Sequence, residues 1–163
     1  MSKRGYLNTS SNSHKKWILS LQVTSEQVHD GNVLPQLIDD ISIRQNKVID
    51  TAIIMDGSYD SNNNFQLLSF RGINPAIKVR KNSRCRKTNH YSRNKTVKMQ
   101  KKNSLQQWKD NVRYGQRWIA ETVFSCIKRM FSEYVTAIRF ENMVKEMILK
   151  ASLYNWFQSI TIR

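Results

Sequence analysis

Two acidic residues, Asp56 and Glu121, stand in settings that suit metal-dependent chemistry on a phosphodiester. Asp56 follows the apolar run 52–55 and precedes Gly57, so it is predicted to leave the end of a buried strand on a rigid support. Glu121 is the only acid within residues 111–132, a strongly basic stretch. Carboxylate oxygens are the ligands that Mg²⁺ and Mn²⁺ prefer. The ordinary alternatives are an Asx turn at Asp56 and a local charge balance at Glu121.

Glu121 also belongs to a set of polar residues with helical spacing. The set is Tyr114, Arg117, Glu121 and Lys128, and its intervals of 3, 4 and 7 place all four within about 60° of one another on a helix. The opposite side would carry the apolar residues that face the core: Ile119, Val123, Cys126, Ile127 and Met130. The ordinary alternative is a solvated face on which Arg117 and Glu121 form an ion pair worth about 0.2–0.5 kcal/mol.

A basic segment, residues 78–102, lies between the two acids in the chain and contains no acid. The whole chain has a net charge of +15, which favours nucleic acid as a partner because neutralised phosphates release counterions. An anionic membrane is disfavoured, since the apolar residues of the last predicted helix look like core and no run is long enough to span a bilayer. The candidate DNA contacts are Lys78, Arg80, Lys81, Arg84, Arg86 and Lys87. Because it has few apolar residues, the segment is predicted to be a surface excursion or a mobile loop. The alternative to DNA contact is a solvated loop that only aids solubility.

The elements that must position these residues follow from periodicity and turn signals. Residues 1–14 are polar and predicted to be loop or disorder. Strands are predicted at 16–24, 48–55 and 76–79, and helices at about 31–42, 62–70, 104–131 and 136–157. Asp60 is predicted to cap the helix at 62–70. Strands followed by helices predict an α/β layered domain, in which functional groups gather at the carboxyl ends of strands.

The motif Tyr114-x-x-Arg117-x-x-x-Glu121-x₆-Lys128 resembles the Y-(2)-R-(3)-E-(6)-K signature of bacterial and archaeal insertion-sequence DDE transposases. Residues 56–61, Asp-Gly-Ser-Tyr-Asp-Ser, are similar to that family's second-Asp motif. The stretch Val28-His29-Asp30 resembles the region after its third strand, and residues 117–134 resemble its Glu-bearing helix. The resemblance extends from about residue 16 to residue 157.

The resemblance implies a ribonuclease-H-like mixed sheet with flanking helices and an Asp, Asp, Glu triad that holds two Mg²⁺ or Mn²⁺ ions. Asp56 matches the second Asp and Glu121 the third acid. It implies that Arg117 and Lys128 hold DNA phosphates and that Tyr114 contacts a phosphate or stacks on a base. The implied activity is metal-dependent cleavage and strand transfer on double-stranded DNA, at transposon ends and target, by a homodimer. The implied location is the cytoplasm, in association with the nucleoid.

The chain departs from the family where the first Asp belongs. Asp30 is the first aspartate, and its position matches a later motif; residues 6–13 are polar where the family has an apolar strand. We therefore expect an N-terminal truncation that removes the first strand and leaves an incomplete sheet, with little strand transfer and marginal stability for the chain alone. The expected organisation is a disordered or degenerate segment 1–14, a partial catalytic domain 15–157 with the basic insertion 78–102, and a tail 158–163. The alternative is a non-catalytic, basic DNA-binding remnant.

Overall fold

A computed structural model describes residues 3–7, 16–25, 27–45, 53–86, 91–102 and 105–161. Strands β1 to β4 are Lys3–Leu7, Ile18–Val23, Ile53–Met55 and Pro75–Ile77. Helices α1 to α6 are Leu34–Gln45, Asn62–Phe70, Tyr91–Lys102, Leu105–Asn111, Trp118–Phe131 and Phe140–Thr161. Short 3₁₀ turns lie at Asp30–Asn32, Gly57–Tyr59 and Tyr114–Arg117. The predicted α/β composition is thus confirmed.

The chain divides into two compact units, residues 28–117 and residues 1–27 with 118–163. In the first unit β3 and β4 pair in parallel, with Ile53 beside Pro75 and Met55 beside Ile77. The core around this sheet is built from residues of α1, α2, α3 and the sheet itself, including Leu34, Leu37, Ile38, Phe65, Leu68, Ala76, Ile77 and Val97. Of the strand predicted at 48–55, the part Ile53–Met55 is confirmed, and residues 48–52 lie outside the described residues. Met55 at its end is buried in that core. The single domain 15–157 stays a prediction.

The single long helix predicted over 104–131 was wrong. Helix α4 ends at Asn111, Arg113 has a left-handed φ of 51°, and the 3₁₀ turn Tyr114–Arg117 precedes α5. A left-handed residue cannot continue an α-helix, so the helix is interrupted there. Tyr114 and Arg117 therefore do not share one continuous helix with Glu121 and Lys128.

The basic segment is also more ordered than predicted. Tyr91–Lys102 forms helix α3, and its side chains Thr96, Val97 and Gln100 are buried. The prediction of a surface excursion or mobile loop was wrong for these residues. Positions 96, 97 and 100 follow helical spacing, but two of the three are polar, so they gave a weak hydrophobic signal.

The second unit combines an antiparallel pair with the last two helices. Strand β1 pairs with β2, with Gly5 opposite Leu21, so the prediction of loop or disorder was wrong for Lys3–Leu7. β1 contains no acidic residue and adds no carboxylate. The Asn155 side chain donates to the Ile18 carbonyl and accepts from the Ile18 amide, both at 2.8 Å, which joins α6 to β2. Val123, Met147 and Tyr154 are among this unit's buried side chains.

Candidate functional site

Asp56 lies directly after β3, at the carboxyl end of the parallel pair, as predicted. Its Oδ1 accepts a hydrogen bond from the Ser58 amide at 2.9 Å and another from the Ser58 hydroxyl. These bonds make Asp56 the N-cap of the turn Gly57–Tyr59. The Asx turn considered as an alternative is therefore present, and it uses Oδ1. Oδ2 lies 3.8 Å from Nη2 of Arg117, and the Asp56 side chain is 43% exposed. The carboxylate thus combines a fixed orientation with access from solvent.

The turn Tyr114–Arg117 packs behind the strand that carries Asp56. The Tyr114 hydroxyl donates to the Met55 carbonyl at 3.3 Å, and its ring centroid lies 5.3 Å from that of Trp108. Tyr114 is only 7% exposed, so its predicted place on a stripe facing away from the core was wrong. The break before the 3₁₀ turn is the cause, because it rotates Tyr114 away from the direction expected for a continuous helix. Tyr114 supports the end of β3, while Arg117 presents its guanidinium to Asp56.

Replacing Tyr114 with phenylalanine removes the hydroxyl that donates to the Met55 carbonyl and keeps the ring. We expect the free energy of unfolding to fall by about 0.5–1.5 kcal/mol, the usual net contribution of one hydrogen bond. That carbonyl keeps its bond from the Lys78 amide, which limits the loss. Urea unfolding followed by circular dichroism measures the change. The control is Tyr91→Phe, because Tyr91 is exposed and should tolerate the change without effect.

Asp60 forms a buried ion pair four residues after Asp56. Its side chain is 1% exposed and accepts from both Nε and Nη2 of Arg93, at 2.7 and 3.2 Å. It also accepts from the Ser83 hydroxyl at 2.5 Å and from the Arg80 amide at 3.1 Å. The predicted capping role was wrong, since Ser61 caps α2 by accepting from the Asn64 amide. The ion pair joins positions 33 residues apart, which no local pattern reveals.

Asp60 should make stability depend on pH in the acid range. Burial alone would raise the pKa of its carboxyl, but the hydrogen bonds from Arg93, Ser83 and the Arg80 amide outweigh it and hold the pKa below the ordinary value of 3.8. A lowered pKa in the folded state contributes stability that is present above the unfolded pKa and is lost as the pH falls. We therefore expect the free energy of unfolding to drop as the pH falls below about 5, and to keep dropping below pH 3.8. Urea titrations should show a shallower drop in Asp60→Asn; an equal drop would contradict this origin.

Five of the six predicted DNA contacts in the basic segment are exposed in the structure: Lys78, Arg80, Lys81, Arg84 and Arg86. Lys87, the sixth, lies outside the described residues. The Arg80 guanidinium donates through Nε to the Gly57 carbonyl at 3.1 Å, so this cation lies beside the Asp56 turn. A Cβ on Gly57 would lie 3.3 Å from the Lys78 carbonyl, and the small residue therefore permits this close approach.

Glu121 and Lys128 both lie on α5, in the second unit, and both are exposed. Lys128 Nζ lies 2.6 Å from Oε1 of Glu133. The predicted apolar face of α5 is only partly buried: Val123 is 1% exposed, whereas Met130 is exposed. Within the described part of either unit, no three His, Cys, Asp or Glu side chains cluster to form a metal site.

The family model described as "Transposase DDE domain" matches residues 6–156. The chain belongs to the DDE transposase family. This membership implies DNA transposition and DNA binding, and DDE transposases generally use divalent metal ions. No curated protein and no solved structure matches this DDE transposase chain. Among its described residues, every helix lacks the length or the apolar character that crossing a membrane requires.

Proposed function

We propose that this chain is an insertion-sequence DDE transposase of the Y-(2)-R-(3)-E-(6)-K subgroup with a ribonuclease-H-like catalytic domain. One observation carries the proposal. The Asp56 motif and the Tyr114–Arg117 half of the signature are distant in sequence, yet they lie together at the end of β3. A helix face that only met solvent would not need Tyr114 against the strand or Arg117 beside Asp56. The substrate is double-stranded DNA, at transposon ends and target, bound by a homodimer in the cytoplasm at the nucleoid.

Asp56 and Glu121 are the residues that would hold the divalent cations. Asp56 fits this role, because Ser58 fixes its orientation and its side chain is 43% exposed, so a cation can reach it. When bound, Mg²⁺ or Mn²⁺ would activate the attacking oxygen and stabilise the leaving oxygen of a phosphodiester. Arg117 and Lys128 are exposed cations that would orient phosphates near these acids.

The resemblance matches two of the three acids of the triad, Asp56 and Glu121, to residues of this chain. No aspartate precedes Asp30 in the sequence, and Asp30 lies in the 3₁₀ turn Asp30–Asn32, which does not directly follow a described strand. We therefore expect the second cation to bind weakly and strand transfer by the purified chain to be slight. The non-catalytic DNA-binding alternative becomes the better description if neither acid affects metal binding.

Manganese binding tests the proposed acids without requiring activity. Free Mn²⁺ is measured by electron paramagnetic resonance in the presence of duplex DNA, for the chain and for Asp56→Asn and Glu121→Gln. We expect each variant to weaken Mn²⁺ binding at least about tenfold, since even outer-shell partners of metal sites have effects of that size. Matched controls are Asp110→Asn and Glu141→Gln, both at exposed positions. Equal Mn²⁺ binding by all four variants would contradict the metal role of Asp56 and Glu121. Vigorous Mg²⁺-dependent DNA cleavage by the purified chain would contradict the expectation that its activity is slight.

A further inference from the structure

Residues 78–86, here called the basic strip, carry exposed cations. Side chains of α3 hold the backbone of this strip in place. The strip continues from β4, which pairs with β3 on one side. Beyond Ile77, residues 78–86 do not belong to a strand. Several of its backbone groups bond to side chains of Gln100, Asn94 and Arg93, three polar residues of one helix.

Gln100 acts at the start of the strip as one residue of a parallel strand would. Its Nε2 donates to the Ile77 carbonyl at 2.8 Å, and its Oε1 accepts from the Val79 amide at 3.1 Å. Bonds to the carbonyl before and the amide after a central residue are the pattern of a parallel ladder. The central residue is Lys78, whose side chain is exposed. The buried amide of Gln100 therefore fixes the backbone that carries this cation.

Asn94 acts at the far end as one residue of an antiparallel strand would. Its Nδ2 donates to the Arg86 carbonyl at 2.8 Å, and its Oδ1 accepts from the Arg86 amide at 3.0 Å. Exchange of both bonds with one residue is the hydrogen-bonded pair of an antiparallel ladder. Between the residues that Gln100 and Asn94 bond, Arg93 donates to the Arg84 carbonyl at 3.2 Å, and Asp60 accepts from the Arg80 amide.

We propose that Asn94 and Gln100 are positioning residues for DNA binding. They hold the backbone of the basic strip in one conformation before DNA binds, so that its cations are already in place to contact phosphates. This inference rests on the proposed contact between the strip and DNA. Ordering a loop during binding costs conformational entropy, and a loop ordered beforehand avoids that cost. Hydrogen bonds from α3 restrain the backbone, while exposed side chains such as Lys81 and Arg84 can still adjust to a phosphate. The neutral amides of Asn94 and Gln100 contribute no counterion release of their own.

Amide hydrogen exchange of the chain without DNA gives the first test. The amides of Val79 and Arg86 should exchange slowly, because each donates to a side-chain amide of α3. Exchange of both at the rate of an unfolded chain would overturn the proposal, because no ordered strip would then exist before DNA arrives. This test needs no variant.

The second test measures DNA affinity of Asn94→Ala by fluorescence anisotropy across a series of salt concentrations. We expect the affinity to fall about three- to tenfold, the size of one lost hydrogen-bonded restraint, while the slope of log K against log salt stays unchanged. Exchange of the Arg86 amide should accelerate. The matched control is Asn63→Ala, an exposed asparagine in the first turn of α2, which should change neither quantity.

A double-mutant cycle with Arg86→Ala separates positioning from direct contact. If Asn94 acts through Arg86, the residue whose backbone it bonds, its removal should cost less once the Arg86 side chain is gone. Additive losses would show that the effect of Asn94 does not pass through Arg86 and would overturn its positioning role. A wild-type chain with no salt dependence would instead contradict DNA binding by the strip. Unaltered affinity in Asn94→Ala, with faster Arg86 exchange, would leave DNA binding intact and overturn only the positioning role.

Discussion

Replacement of Arg93 by methionine should lower the free energy of unfolding by about 3–5 kcal/mol, because it leaves a buried carboxylate without its partner. The Asp60 side chain is 1% exposed and the Arg93 side chain 11%, so little water can replace the guanidinium. Arg93 also donates to the Ser83 hydroxyl and the Arg84 carbonyl, and these bonds are lost together. Urea or thermal unfolding of the purified variant measures the effect.

The control is an ion pair of the same kind at the surface. Arg71 lies 2.5 Å from Asp39, and both side chains are well exposed. We expect Arg71→Met to cost about 0–1 kcal/mol, the range for exposed pairs. In the double variant Arg93→Met with Asp60→Asn, part of the loss should return, because the charge itself has been removed. Equal losses in Arg93→Met and Arg71→Met would contradict the buried pair.

The sequence was sufficient to predict the elements with strong periodicity. Strand β2, helix α2 and the apolar run ending at Met55 were predicted near their observed positions, since each has a clear period or turn signal. The place of Asp56 at a strand end followed from the change from apolar residues to Asp-Gly. The Asp motif and the Tyr/Arg/Glu/Lys spacing together indicated the family that the family model then showed.

The errors arose where one residue or one distant partner overrides the local pattern. Arg113 adopts a left-handed conformation that interrupts the predicted helix, and arginine gives no sign of this in the sequence. Tyr114 is consequently buried, although the periodicity placed it on an outward face. Helix α3 was missed because Asn94 and Gln100 satisfy backbone groups with polar side chains, which a search for apolar periodicity does not detect. Asp60 was misread because its partner, Arg93, is far along the chain.

Removal of three cations from the basic strip should weaken DNA binding more than the Asn94→Ala variant does. For the triple variant Lys81→Gln, Arg84→Gln and Arg86→Gln, the slope of log K against log salt should become shallower by about 2.7, at roughly 0.9 per phosphate contact. At about 0.1 M salt this corresponds to a loss of two to three orders of magnitude in affinity, if each cation neutralises one phosphate. All three side chains are exposed, so the fold should remain intact.

A matched change of charge decides whether the position of these cations matters or only their number. The control variant Arg129→Gln, Arg139→Gln and Lys145→Gln removes the same charge from exposed positions on the other unit. If the strip is where DNA phosphates bind, the control should keep most of the wild-type slope, because its cations release few counterions. If both variants lose equal slope, the attraction is a property of the total charge of +15, and the strip has no special role. Fluorescence anisotropy with one duplex across a salt series distinguishes these two cases. Local contacts at the strip predict that only the strip variant changes the slope, whereas attraction by total charge predicts that both variants do.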